Sequence, residues 1–254
     1  MKRGKKILIC LIVVICIWCF VYINNNWIQI EKYHVCSSRI PNKFDEYKII
    51  QLSDLHNKEF GKDNMNLIKK IYNVDPNIIV LTGDMINSTD TDFKVFYNLI
   101  EKLSKKYDIY FIKGNHEERM EIKEGELQIE FYEKIEKFGV KILNDKKQPI
   151  VIDEEKINLY GLELPLNCYS RKISSSYQGW EDFDVEDVEE KLGDINKNEY
   201  NILLSHNPLY FKVYKDWGAD LTLSGHIHGG IIRMPFVGGL LSPEVSFFPK
   251  YDAG

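Results

Sequence analysis

From residue 47 to residue 139 the chain alternates between two kinds of apolar pattern, and this alternation restricts its fold more than any other feature. Residues 47–52, 77–81 and 108–112 are short apolar runs of strand length. Between and after them apolar side chains recur at helical spacing. They are Leu67, Ile68, Ile71 and Tyr72, then Phe93, Phe96, Tyr97, Ile100 and Leu103, then Leu127, Phe131, Ile135 and Phe138. Buried strands joined by amphipathic helices predict parallel β-α-β units. Residues 141–164 change to short strands without helices between them, and residues 201–204 and 221–223 read as two further buried strands. The expected class is α/β with a mixed or layered sheet. No internal repeat or linker interrupts the pattern, which predicts one folded domain.

A different segment precedes this body. Residues 7–23 form an unbroken apolar run of 17 residues, long enough to cross a bilayer as a helix. A terminal helix apolar on every face is uncommon in a soluble domain. Tyr22, Ile23 and three asparagines stand next in place of a small-x-small site, which argues against a cleaved signal peptide. No Gly or Ala precedes Cys10, Cys16 or Cys19, so a lipoprotein anchor is not expected. Lys2, Arg3, Lys5 and Lys6 precede the run and predict a cytoplasmic N-terminus with the body outside. The expectation is therefore a single-pass membrane anchor over residues 1–27 and an extracytoplasmic domain over residues 28–254.

Charge and cysteine usage narrow the partners. The net charge is −5, and because four cations belong to the anchor the body is more acidic still. Such a body repels polyanions, so no nucleic-acid partner is expected. Outside the anchor only Cys36 and Cys168 remain, without C-x-x-C spacing. Neither a disulfide framework nor a zinc knuckle is predicted, while a Cys36–Cys168 bridge stays open.

The chemistry lies in the loops at the strand ends. They read Ser53-Asp54-Leu55-His56, Gly83-Asp84, Gly114-Asn115-His116-Glu117, Ser205-His206-Asn207-Pro208 and Gly225-His226-Ile227-His228-Gly229-Gly230. Open α/β sheets bind ligands at the carboxyl ends of their strands, so these loops are expected to converge. Carboxylate oxygen and imidazole nitrogen are donors that hold divalent transition metals. In extended backbone, the i, i+2 spacing of Asp54/His56 and His226/His228 would aim both side chains one way. A lone Asp-x-His carries little weight, and glycine after a strand is common turn chemistry. The joint pattern carries more: five of the six histidines fall in these loops, and only His34 does not. A phosphate-binding Gly-x-x-x-x-Gly-Lys loop, a Gly-x-Gly-x-x-Gly turn and a nucleophile elbow are all absent, which argues against serine-hydrolase chemistry. Arg171 and Lys172 read as solvated surface charges, with a substrate-facing loop as the alternative.

In this order the five motifs resemble the calcineurin-like metallophosphoesterase superfamily over about residues 49–250. The anchor, residues 35–41 and the Arg-x-Pro after the last motif resemble its bacterial membrane-associated branch. The resemblance implies a layered β-sandwich flanked by helices, and two divalent transition-metal ions of Mn, Fe or Zn type. Asp54, His56 and His228 would hold one ion; Asn115, His206 and His226 would hold the other; Asp84 would bridge them. His116 would be the catalytic histidine facing a phosphate-ester substrate, as general acid or electrostatic stabiliser, with Glu117 supporting the motif from behind. The implied reaction is hydrolysis of a phosphomonoester or phosphodiester, lipid-linked or soluble, by a metal-bridging hydroxide. A non-catalytic metal-binding scaffold is the alternative. Such relatives lose a ligand or the catalytic histidine, and this chain keeps both.

The sequence departs from the family pattern in three places. Ile231 stands where Gln usually comes after Gly229-Gly230, although Arg233 is kept as a candidate phosphate contact. Met85-Ile86-Asn87 lacks the acid often found after Asp84. Relatives continue past the position of Gly254, which predicts missing C-terminal strands, an open sheet edge and poor packing from about Pro243.

Overall fold

The computed structural model describes residues 2–241 and 247, apart from 124, 170, 171, 175, 176, 180–182, 230, 231 and 235–237. The chain forms two compact units, Met1–Val35 and Cys36–Gly254. The first contains α1 (Lys2–Asn26), within which Gly4–Ile23 is long and apolar enough to cross a membrane. Its apolar side chains are exposed throughout.

The second unit begins with the predicted alternation. Its elements are β1 (Ile49–Leu52), α2 (Met65–Val74), β2 (Ile78–Leu81), α3 (Lys94–Leu103), β3 (Asp108–Phe111), α4 (Asn115–Lys123), α5 (Gly125–Lys137) and β4 (Lys141–Ile142). These four strands make one parallel sheet in chain order. Next come β5 (Lys146–Ile152), β6 (Glu155–Leu162), β7 (Lys172–Ser174), β8 (Tyr177–Gly179), α6 (Val185–Leu192), β9 (Tyr200–Ser205), α7 (Phe211–Trp217), β10 (Leu221–Leu223), β11 (Ile232–Met234) and β12 (Gly238–Leu241). The second sheet has the order β10-β9-β6-β5, with β5 antiparallel to β6 and the other pairs parallel.

The two sheets share one core. Alternate side chains of the first sheet (Ile78, Val80, Tyr110 and Ile112) pack with alternate side chains of the second (Ile157, Leu159, Ile202 and Leu204). Side chains alternate across a strand, so Ile79, Leu81 and Phe111 face the other way, and they too are fully buried. Phe131 of α5 stacks there on Phe96 and meets Phe93 and Phe111 edge to face. On the far side of the second sheet, Val188 of α6 and Tyr214 and Trp217 of α7 cover Tyr160, Leu162 and Leu203. Each buried Leu, Ile or Phe contributes about 1.5–3 kcal/mol, so the continuous apolar layers hold the two sheets face to face. The result is the expected α/β architecture, a layered β-sandwich flanked by helices.

Three helices escaped the sequence reading: α4, α6 and α7. Helix α6 opens on a capping box, in which Asp184 accepts from the Asp187 N–H and Asp187 accepts from the Asp184 N–H. Cys36 is exposed and Cys168 is buried, and no disulfide joins them, so the bridge left open does not form. Arg233 lies on β11 and Lys172 on β7, with side chains outside the described residues. Arg171 and, apart from Phe247, the segment from Pro243 are also outside them.

Candidate metal centre

Every loop singled out in the sequence leaves the carboxyl end of a parallel strand. Asp54 and His56 follow β1, Asp84 follows β2, and Asn115 and His116 open α4 after β3. His206 follows β9, and His226 and His228 follow β10. Both sheets thus deliver side chains to one rim of the sandwich.

The backbone there is not the extended chain expected from the i, i+2 spacing. Asp54, His56, Asp84, His226 and His228 all adopt left-handed φ, at 52°, 47°, 53°, 70° and 57°. Non-glycine residues in this region cost on the order of 1–3 kcal/mol each and persist where surrounding structure holds them. Cross-loop hydrogen bonds do the holding. The N–H groups of Asp54, His56 and Asn57 donate to the carbonyls of Gly83, Asp84 and Met85 at 3.0, 3.1 and 2.8 Å. Gly83 sits at φ 93°, and a Cβ on it would run into the Gly114 backbone and the His206 ring. Tight turns therefore let the loops close on one another, which pleated strand could not do.

Two groups of donors result, and Asp84 belongs to both. Asp54, His56, Asp84 and His228 place ligand-type atoms within 4.8 Å of one another, as do Asp84, His206 and His226. His228 Nε2 lies 3.3 Å from Asp54 Oδ1 and 3.2 Å from His56 Nε2. His206 Nε2 lies 3.2 Å from Asp84 Oδ2.

Hydrogen bonds at the far ring nitrogens fix the tautomers. His206 Nδ1 is 2.6 Å from the Thr82 carbonyl, which only accepts, so in the neutral ring Nδ1 carries the proton and Nε2 keeps a lone pair. Asn87 uses its amide N–H groups on the His56 carbonyl and Asp90, leaving its Oδ1 to accept from His56 Nδ1 at 3.1 Å. His56 Nε2 is therefore also a lone-pair donor. His116 is the reverse case: the Ser88 N–H donates to its Nδ1 at 3.1 Å, so the neutral ring carries its proton on Nε2. In their neutral forms His56 and His206 thus turn bare nitrogen to the centre, while neutral His116 turns N–H.

Two buried atoms test whether a cation fits. His206 Nε2 and Asn115 Oδ1 are both inaccessible to solvent and have no hydrogen-bond partner. Leaving such an atom unpaired costs about 1–3 kcal/mol, and both offer lone pairs that a divalent ion would satisfy. Imidazole held by a backbone carbonyl at its second nitrogen is also the usual support for a metal ligand. The donor set fits a divalent transition metal.

Electrostatics point the same way. Burial opposes charge on Asp84, but His206 and the hydrogen bond from the His116 N–H outweigh it and hold the carboxyl well below its usual range. Burial disfavours charge on His206, yet Asp84 and Asp54 push the imidazole up to about 9. Burial lowers the pKa of both His116 and His228. Glu117 is wholly buried behind the ligands. Its Oε2 accepts from the N–H groups of Asp84 and Gly114, both at 2.9 Å. Its Oε1 accepts from Met85 and Ile86 at 2.7 and 3.3 Å. Burial and the Asp84 carboxylate push it up to about 7, against the pull of the Gly114 and Asp84 N–H groups and of His206.

Of the predicted site residues, only Arg233 has its side chain outside the described set. The sequence reading missed Thr82 and Ser88, which act through backbone groups that no residue type announces. It also passed over Arg119, whose charge adds to the burial that lowers the His116 pKa. Tyr169, packed 5.1 Å from the His226 ring and 5.7 Å from the His206 ring, carried no signal at all.

A two-sheet α/β sandwich with helices outside and Asp, Asn and His donors on its strand ends defines a metal-binding α/β protein. The chain belongs to the calcineurin-like phosphoesterase family, whose model matches residues 47–230. It is a metallophosphoesterase, a hydrolase of phosphoric esters. It is 28% identical over 229 residues to the uncharacterized metallophosphoesterase YkuE of Bacillus subtilis, with 87% of this chain and 72% of that one covered. Identity to the uncharacterized metallophosphoesterase Cj0846 of Campylobacter jejuni is 27% over 215 residues, covering 84% and 52% of the two chains. Identity to the phosphodiesterase YaeI of Escherichia coli is 24% over 213 residues, covering 82% and 69%.

Proposed function

We propose that the chain hydrolyses phosphate esters with two divalent cations, and that Asp84 is shared by both. The observation that carries this reading is the membership of Asp84 in two separate donor groups. Asp54, His56 and His228 complete one site; His206, His226 and Asn115 complete the other. When bound, such ions supply positive charge for the phosphoryl oxygens and acidify water to a nucleophile at neutral pH.

The remaining work falls to the chain's own groups. His116 directs its Nε2–H toward the leaving-group oxygen, where negative charge builds as the ester bond breaks. Becoming a proton-donating imidazolium would require Nδ1–H to face the Ser88 N–H, two donors opposed. His116 is therefore a neutral hydrogen-bond donor that stabilises the departing oxygen, the electrostatic role of the two left open by sequence. Glu117 holds the Asp84 and Gly114 backbones together, which sets Asp84 and Asn115 in register. On this reading residues 1–27 are a membrane anchor; the apolar run and the four positive charges before it support a domain held outside, which favours phosphate esters of the membrane surface or envelope.

Elemental analysis of the purified full chain tests this reading. Close to two transition-metal ions per chain are expected, with hydrolysis of bis(p-nitrophenyl) phosphate lost on chelation and restored by Mn, Fe or Zn. Asp84→Asn is expected to lose both ions. A metal-free yet active protein, or Asp84→Asn retaining two ions, contradicts it.

A further inference from the structure

We propose that Arg119 binds a second anionic group, carried by the leaving-group side of the substrate. The inference rests on the phosphoesterase site described above and extends it by one turn of α4. That helix begins with Asn115 and His116, and Arg119 comes four and three residues later. Residues at these spacings share one helix face, with Cβ atoms about 5–6 Å apart. Helical Cα–Cβ bonds tilt toward the N-terminus, so Arg119 leans over the turn that holds Asn115 and His116. Its charge reaches His116: burial chiefly lowers that imidazole's pKa, and Arg119 adds to the effect.

Arg119 is also unspent. Its neighbours on the helix are committed elsewhere, Glu117 to the four backbone donors and Glu118 to the Leu166 N–H at 3.2 Å. Two cations that are buried or half-buried have carboxylate partners, Lys113 with Glu163 and Lys191 with Asp145. Among the described residues Arg119 is half-buried and has neither hydrogen bond nor ion pair. A guanidinium presents five N–H donors in a planar fork suited to carboxylate or phosphate oxygens. Beside a histidine that faces the leaving group, that fork is placed for an anionic group one step beyond the scissile bond.

Three non-hydrolysable ligands test this by calorimetry on the Mn-loaded full chain: phenylphosphonate, 4-carboxyphenylphosphonate and 1,4-phenylenediphosphonate. A hydrogen-bonded charge pair predicts roughly 10–100-fold tighter binding of at least one doubly anionic ligand over phenylphosphonate. Arg119→Ala should abolish that ratio and Arg119→Lys should keep part of it, because charge remains while the fork is lost. Arg119→Gln, which keeps the length of the stem, serves as a second neutral variant should the alanine chain fail to fold. Which ligand gains more tells a carboxylate substrate from a diphosphate one. Equal affinity for all three ligands, or a ratio unchanged in the neutral variants, overturns the inference alone. Phenylphosphonate binding that is independent of Mn overturns the two-metal reading and this inference with it.

Discussion

Replacing Glu117 by Gln changes one oxygen to an amide NH2 and nothing in size. In the native chain each carboxylate oxygen accepts two backbone N–H bonds, from Asp84 and Gly114 on one side and Met85 and Ile86 on the other. Whichever way the amide turns, its NH2 faces two N–H groups that also donate. Two buried donors then lose their acceptor, at about 1–3 kcal/mol each, for a total of about 2–6 kcal/mol. In a domain of this size that corresponds to a fall in Tm on the order of 5–20 °C. Denaturant titration of the full chain in detergent micelles at pH 9, above the Glu117 pKa of about 7 so that the native side chain is a carboxylate, tracked by fluorescence and circular dichroism together, measures the loss. The retained oxygen can satisfy only one pair, so Asp84 and Gly114 or Met85 and Ile86 must shift, and metal content should fall as well. A Glu117→Gln chain within about 1 kcal/mol of the wild type would refute the premise that these four donors depend on a carboxylate.

The same geometry sets further outcomes. His116→Ala should retain both ions while kcat falls by roughly 10²–10³-fold for alkyl esters, and less for p-nitrophenyl esters, whose leaving groups gather less charge; an equal loss for both would assign His116 to phosphate binding. His206, pushed up to about 9, is protonated at pH 7 and must shed that proton to become a ligand. Metal binding at pH 7 should therefore release about one proton from His206, and apparent affinity should climb with pH until about 9 and then level. Calorimetry in buffers of different ionisation enthalpy reads the proton count, and a buffer-independent enthalpy contradicts it. Protease added to intact protoplasts should digest the domain; full protection until lysis would place the site in the cytoplasm.

The parts of the fold that could be read in advance are those whose residues repeat. Ile78–Leu81 and the stripe Phe96, Leu99, Ile100, Leu103 declare a strand and a helix because burial on one or two faces leaves a period in the sequence. Helix α4 declares nothing of the kind. Its sequence NHEERMEIK has no apolar stripe; its first turn is held by Asp84, which accepts the His116 N–H, and by Glu117, which accepts the N–H groups of Gly114 and of the loop Asp84–Ile86. The donor residues were legible as types in order, since Asp, Asn and His in five strand-end loops leave few alternatives. Their backbone was not, because left-handed turns at Asp54 and His226 depend on loops that meet only after folding. Pairs such as Lys113 with Glu163 are equally silent, for they join two sheets across a separation no local pattern spans.

The donors come from both sheets: Asp54, His56, Asp84 and Asn115 from the first, His206, His226 and His228 from the second. A cation shared by such donors is a rivet through two plates, and it can be driven only after the plates meet. Ions that bind the folded chain alone add stability by mass action, about 2.7 kcal/mol when free metal stands at a hundred times its dissociation constant. A shift of that size changes how often a marginal protein opens to proteases, and so changes its abundance several-fold. On the proposed two-metal reading, a cell starved of metal would therefore hold fewer copies of this protein, not the same number lying idle.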